Sequence, residues 1–210
     1  MSMRQLVLGI SPPPEPAFEG FVTGRNDELV DRLKELAAGT LAETIVYLWG
    51  ERGSGRSHLL GATQRAAADP ARLFVTDDVD ALDEPAQVAL FNRINQVREH
   101  SGAPGGTVLA AGSAPPAQLA LRDDLKSRLA WGLVYQVHTL TDAEKATYLR
   151  DEAARRGLRI ADEVVNYLLT HVRRDLPTLV AILAHLDEYS LSHKRPLTLP
   201  LVREALGAMQ

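Results

Sequence analysis

The chain has 210 residues, 45% of them hydrophobic and 24% charged, which excludes a largely disordered protein and allows one large domain or two small ones with a sizeable core. Its 23 basic residues face 27 acidic ones, a net charge of -4, whereas a domain that holds DNA by neutralising many phosphates is normally basic. The absence of cysteine removes disulfides, thiolate zinc sites and cysteine nucleophiles; with no apolar run of ~18 residues and no signal-peptide pattern, the expectation is a soluble, cytoplasmic protein without a membrane partner.

Residues 1–10 carry a short apolar patch, and residues 11–17 form a linker. Four of the six residues in Ser11-Pro12-Pro13-Pro14-Glu15-Pro16 are proline, which favours extended polyproline II over helix and makes a stiff spacer. Helical periodicity starts near Asn26, with Leu29, Val30, Leu33 and Leu36 on one face and Gly39 as its stop. Ile45-Val46-Tyr47-Leu48-Trp49 is an unbroken β-branched and aromatic run that reads as a buried parallel strand. A glycine-rich turn leads into a helix over about Ser57 to Ala68. Arg72 to Thr76 is a second strand ending in Asp77-Asp78, Ala86 to Glu99 is helical, and Thr107 to Ala111 is a third strand. A polar helix over Asp123 to Leu129 precedes a fourth strand, Leu133 to Val137. Strands alternating with helices mean an α/β layer on a parallel sheet. From Thr139 onward only helices are expected. Thr141 with Glu144 makes a capping box for a helix that Gly157 closes. Asp162 to Val172, the Pro177 helix with Leu179, Ile182, Leu183 and Leu186, and Thr198 to Ala208 follow.

Gly50-Glu51-Arg52-Gly53-Ser54-Gly55-Arg56-Ser57 fits the phosphate-loop pattern G-x-x-x-x-G-[K/R]-[S/T]. Glycines let backbone N–H groups turn inward around a phosphate, and the following helix adds its N-terminal partial positive charge. Gly50, Gly53, Ser54, Gly55, Arg56, Ser57 and His58 are the candidate nucleotide-binding residues, with the Ser57 hydroxyl placed for Mg2+. Arg56 stands where lysine is usual; its fork can hold phosphate oxygens without serving a transferring γ-phosphate. Leu73 to Asp78 resembles a Walker B strand, in which Asp77 would hold the magnesium through water. A glycine turn without a ligand, and an Asp-Asp turn at a strand end, are the plain alternatives.

Together with these motifs, Phe21-Val22-x-Gly24, Tyr47-Leu48-Trp49-Gly50, Gly55-Arg56-Ser57-His58-Leu59-Leu60 and Asp124-Leu125-Lys126-Ser127-Arg128-Leu129-x-Trp131-Gly132 make nearly the whole chain resemble the AAA+ proteins. The resemblance is to the Hda family, regulatory inactivators of the bacterial replication initiator DnaA, in which a phosphate-loop arginine is usual. It implies an α/β AAA+ P-loop core over residues 18–140 followed by a small all-helical lid over 141–210. Few residues separate the phosphate-loop helix from the Asp77 strand, where relatives fit another strand and helix. A four-stranded sheet lacking one edge strand is therefore expected.

By the same resemblance, Arg128 is an arginine finger that reaches a nucleotide on a neighbouring subunit, and Arg174 is the lid's sensor 2 arginine. Arg174 would contact the chain's own nucleotide and couple it to the lid. Taken alone, Arg128 could equally be a helix arginine in a surface salt bridge, and Arg174 mere charge near a helix start. Ser113 occupies the sensor 1 position, where relatives often have Asp. Gln5-Leu6-Val7-Leu8-Gly9-Ile10 resembles the family's hexapeptide for the DNA polymerase sliding clamp (its beta subunit). Gln5, Leu6, Leu8 and Ile10 are the anchors, and Gly9 and Ile10 depart from the usual Pro-Leu. A tail that packs on the body is the other reading. The initiator continues into a helix-turn-helix domain, for which this chain leaves no residues, so the inactivator is favoured and DNA is contacted only indirectly.

The expected cofactors are ADP or ATP with Mg2+. The expected partners are DnaA and the clamp, with a nucleotide-dependent homo-oligomer possible. The function implied is negative regulation of replication initiation, with Arg128 stimulating hydrolysis of DnaA-bound ATP and little intrinsic ATPase activity. An autonomous ATPase such as a helicase loader, or an adaptor that keeps nucleotide as a structural ligand, are the rivals.

Overall fold

A computed structural model describes residues 15–99, 106–172 and 176–208. The expected clamp peptide, Gln5 to Ile10, and the expected sensor 2 residue, Arg174, lie outside the described residues. Two compact units divide the chain, one from Glu15 to Thr139 and the other from Leu140 onward.

The first unit is built on four parallel strands, β1 (Ile45–Trp49), β2 (Leu73–Thr76), β3 (Thr107–Gly112) and β4 (Leu133–Gln136), in the order β2-β3-β1-β4. The apolar runs explain the centre of the sheet: Ile45 to Leu48 and Val108 to Ala111 are buried on both sides, as strands between two helical layers must be. Alternation along β1 sends Val46 and Leu48 to one face and Ile45 and Tyr47 to the other. Helices α1 (Asp27–Ala38) and α2 (Arg56–Ala66) cover the first face through Leu29, Leu33, Leu59 and Leu60. Helices α3 (Glu84–Glu99) and α4 (Asp123–Leu129) cover the second through Leu90, Ile94, Leu125 and Leu129.

Residues 67–72 alone join α2 to β2; Asp69 accepts from the Ala71 N–H and starts a single 3-10 turn at Pro70–Arg72. No strand fits in so short a connection; the sheet has four strands, as expected from the sequence, and β2 is one of its edges. One detail differs. Asn26 precedes α1, yet its side chain does not cap the helix. It bonds instead to the backbone of His138 beyond β4 and to Thr23.

The second unit contains α5 (Asp142–Arg155), α6 (Asp162–His171), α7 (Leu176–His193) and α8 (Leu199–Ala208). The Thr141 hydroxyl accepts from the Glu144 N–H while the Glu144 carboxylate accepts from the Thr141 N–H, so the predicted capping box is present. Gly157 follows α5 with φ 73°, the left-handed conformation that favours glycine after a helix. Leu149, Leu168, Leu179, Leu183, Leu186 and Leu201 make its core. The buried carboxylate of Glu152 is paired with Arg155 and Arg156. Among the described residues no helix is long and apolar enough to cross a membrane.

Candidate functional site

Parallel strands send their C-terminal ends to one edge of the sheet, where open α/β sheets bind ligands. Here Trp49 of β1 pairs with Gly112 of β3, and Thr76 of β2 pairs with Ala110. The loop after β1, Ser113 after β3 and Asp77 after β2 therefore leave the sheet side by side. The loop's glycines are required by geometry. A Cβ on Gly50 would lie 2.5 Å from the Val137 carbonyl oxygen. Gly55 has φ 100°, and a Cβ there would lie 2.7 Å from the Phe21 ring.

Arg56 opens α2 immediately after Gly55, at the end of the helix where N–H groups lack intrahelical partners and the dipole favours anions. Two polar atoms here, Ser54 Oγ and Arg56 Nη1, are buried and have no hydrogen-bond partner among the described residues. Leaving a buried charged donor unpaired is costly. The Arg56 Nη2 atom lies 3.6 Å from Asp78 Oδ1, too long for a strong bond to relieve it. A phosphate would satisfy both orphaned atoms and the helix N-terminus, so the residues fit a nucleotide's phosphates.

Ser57 is exposed and Asp77 half-buried. One Asp77 oxygen accepts from the Asp78 N–H at 2.8 Å and fixes a turn in which Asp78 has φ 44°; the other oxygen has no partner among the described residues. Among those residues no group of three or more His, Cys, Asp or Glu could hold a metal. A hydroxyl with one carboxylate suits Mg2+ only when phosphate and water complete its octahedron.

Asp80 belongs to this edge and has no sequence signal of its own. Its Oδ1 accepts from the Ser113 N–H at 2.9 Å. Burial pushes its carboxyl up, but the Ser113 hydrogen bonds and the charge of Arg56 hold it below the usual range. The Tyr47 hydroxyl donates to the Ala114 carbonyl at 2.8 Å, and burial, then the negative charge of Asp80, raises its pKa and keeps the phenol neutral. The His58 side chain turns to the segment before α1, with Nε2 2.9 Å from the Ala17 carbonyl and its ring stacked on Phe21.

Arg128 lies near the end of α4, half-buried. Its Nε–H donates to Asn95 Oδ1 of α3 at 2.8 Å, and its guanidinium carbon lies 3.6 Å from the centre of the Trp131 ring. Arg98 packs on the same indole at 3.9 Å. These side chains and Glu99 line an open depression of about 320 Å³. Among the described residues neither Arg98 nor Arg128 is in an ion pair. The salt-bridge alternative for Arg128 thus has no partner here, and the side chain is reachable from outside.

Comparison with known proteins bears on the family and the fold. The family described as "Hda, lid domain" matches residues 142–206. An uncharacterised protein of Haemophilus influenzae is 32% identical, over 97% of this chain and 99% of its own. That alignment runs 233 positions, so the relative carries residues that this shorter chain lacks. Domain III of the Thermotoga maritima initiator DnaA superposes with a TM-score of 0.70 at 19% identity, covering 95% of this chain and 98% of that one. The AMPPCP-bound DnaA of Aquifex aeolicus gives 0.63 at 18% identity, over 84% and 65%. A RuvB of Thermotoga maritima gives 0.66 at 13% identity, over 92% and 72%.

Proposed function

We propose that this chain, which belongs to the Hda-like, DnaA-related AAA+ proteins, binds a nucleotide in its phosphate loop and lends Arg128 to ATP held by a DnaA subunit. The observation that carries this reading is the state of Arg128: half-buried, free of any ion pair among the described residues, and lining an open depression. A guanidinium supplied in trans neutralises charge that builds on the γ-phosphate, an effect of ~10³–10⁵ in rate. The consequence is conversion of DnaA to its ADP form and restraint of replication initiation.

Gly50, Gly53, Ser54, Gly55, Arg56 and Ser57 would hold ADP or ATP, with Ser57 and Asp77 toward Mg2+. The orphaned Ser54 Oγ and Arg56 Nη1 support this, as does the AMPPCP held by the Aquifex aeolicus DnaA of the same fold. A bound nucleotide would supply the negative charge that these buried donors lack. Gln5, Leu6, Leu8 and Ile10 would tether the protein to the sliding clamp, which raises its effective concentration near DNA-bound DnaA.

The deciding experiment measures hydrolysis of DnaA-bound ATP with DNA-loaded clamp and this protein added. Stimulation that Arg128→Ala reduces at least 100-fold, against the ~10³–10⁵ of an arginine finger, supports the reading. Equal stimulation by both proteins rejects it, and brisk turnover by the purified chain alone would favour an autonomous ATPase.

A further inference from the structure

We propose that Asn95 and Trp131 are positioning residues that hold the Arg128 guanidinium ready-formed, with its two terminal Nη groups left to a phosphate on the partner. The inference rests on the reading of Arg128 as a finger acting in trans. An arginine carries five N–H donors in a fixed fork, and two of its edges can meet an anion. Asn95 Oδ1 takes the Nε–H at 2.8 Å, which occupies the inner donor. No hydrogen bond or ion pair engages the Nη groups among the described residues.

The indole supplies the second constraint. With the guanidinium carbon 3.6 Å from the Trp131 ring centre, rotation out of the stacked plane loses a cation–π contact. Trp131 remains 47% exposed, so the stacked pair sits where a docking partner reaches it. Phe91 lies beneath, 5.3 Å from the same guanidinium. A hydrogen bond at Nε together with a ring against the plane fixes both the direction and the tilt of the fork. Arginine otherwise loses substantial rotamer freedom on ordering.

The placement also explains the choice of asparagine. Its amide oxygen accepts the Nε–H without adding negative charge, whereas aspartate would neutralise the cation that the γ-phosphate needs. Arg98 on the same indole at 3.9 Å keeps the depression cationic, with Glu99 the one carboxylate lining it among the described residues. An anion is the complement of such a surface, and a nucleotide triphosphate presented by a neighbour has that character.

The test is hydrolysis of DnaA-bound ATP with DNA-loaded clamp, titrated with the full chain to separate the maximal rate from the half-saturating concentration. Asn95→Ala and Trp131→Ala are each expected to lower the maximal rate roughly 10- to 100-fold, the scale of a small misplacement at a reacting centre. Half-saturation should stay within about twofold, and Trp131→Phe should restore most of the rate because a ring face remains. In the isolated chain, the Arg128 Nε–H NMR signal should be slow to exchange, and faster in Asn95→Ala. Unchanged maximal rates in both alanine variants, or a shift confined to half-saturation, overturn the proposal while leaving Arg128 as the finger. Should Arg128→Ala itself retain full stimulation, the finger reading fails first and takes the positioning role with it.

Discussion

At the scale of single residues, Asn26 shows how a polar side chain just before a helix can serve the fold without capping that helix. It is 2% exposed; Nδ2 donates to the carbonyls of Thr23 and His138, and Oδ1 accepts from the His138 N–H. It therefore clips the chain after β4 to the start of α1. Asn26→Ala leaves partly buried backbone groups unpaired and should cost about 2 kcal/mol, seen as a fall in Tm of roughly 4–8 °C for a chain of this size; a change below about 1 °C would mean that water replaces the clip. Asp80 is a second such residue. Its folded pKa is lowered, so its contribution is present above the ordinary carboxylate range and is lost as pH falls through the lowered value. Asp80→Asn should flatten the decline of stability below about pH 4, measured by urea unfolding across pH. Neither role was legible in the sequence, because both partners, His138 and Ser113, are brought close only by the packed sheet. The same holds for Asn95 and Arg128, which lie 33 positions apart and meet where α3 packs on α4.

Elements were more legible, for reasons that lie in local chemistry. The β-branched run over Ile45 to Trp49 and the 3.6-residue period of Leu29, Leu33 and Leu36 carry their own geometry, and strand and helix appear where those patterns stand. The short 3-10 turns were not visible, since they follow from how the chain leaves one layer for another. The phosphate loop was visible because glycine is needed at fixed points. Gly55→Ala tests this: φ 100° and the Phe21 contact at 2.7 Å leave no room for a Cβ, at a strain of about 1–3 kcal/mol. The loop must then shift, and the rise in Tm caused by ADP should shrink to near zero by differential scanning fluorimetry. The cap of α5 gives the opposite kind of test. Thr141→Ala removes the hydroxyl that accepts from the Glu144 N–H and should cost about 1 kcal/mol, with no effect on the ADP-induced shift.

At the scale of the whole chain, the sheet separates the two proposed sites. Helix α2, with Arg56 at its start, packs with the Leu59 cluster on one face; α4, with Arg128, packs with the Leu129 cluster on the other. The two arginines are therefore expected to act independently when the protein is alone, since no shared hydrogen bond or ion pair joins them among the described residues. A ligand that binds only the folded state stabilises by about 2.7 kcal/mol at 100 times its Kd, or roughly 5–11 °C in Tm for a chain of this length. ADP with Mg2+ should produce a shift of that order in the wild-type chain and in Arg128→Ala alike. In Arg56→Ala it should vanish, because the neutral side chain removes both the buried orphan and the cation facing the phosphates. Loss of the shift in Arg128→Ala would mean that the depression and the loop are coupled through the sheet, and the division of labour between its two faces would have to be abandoned.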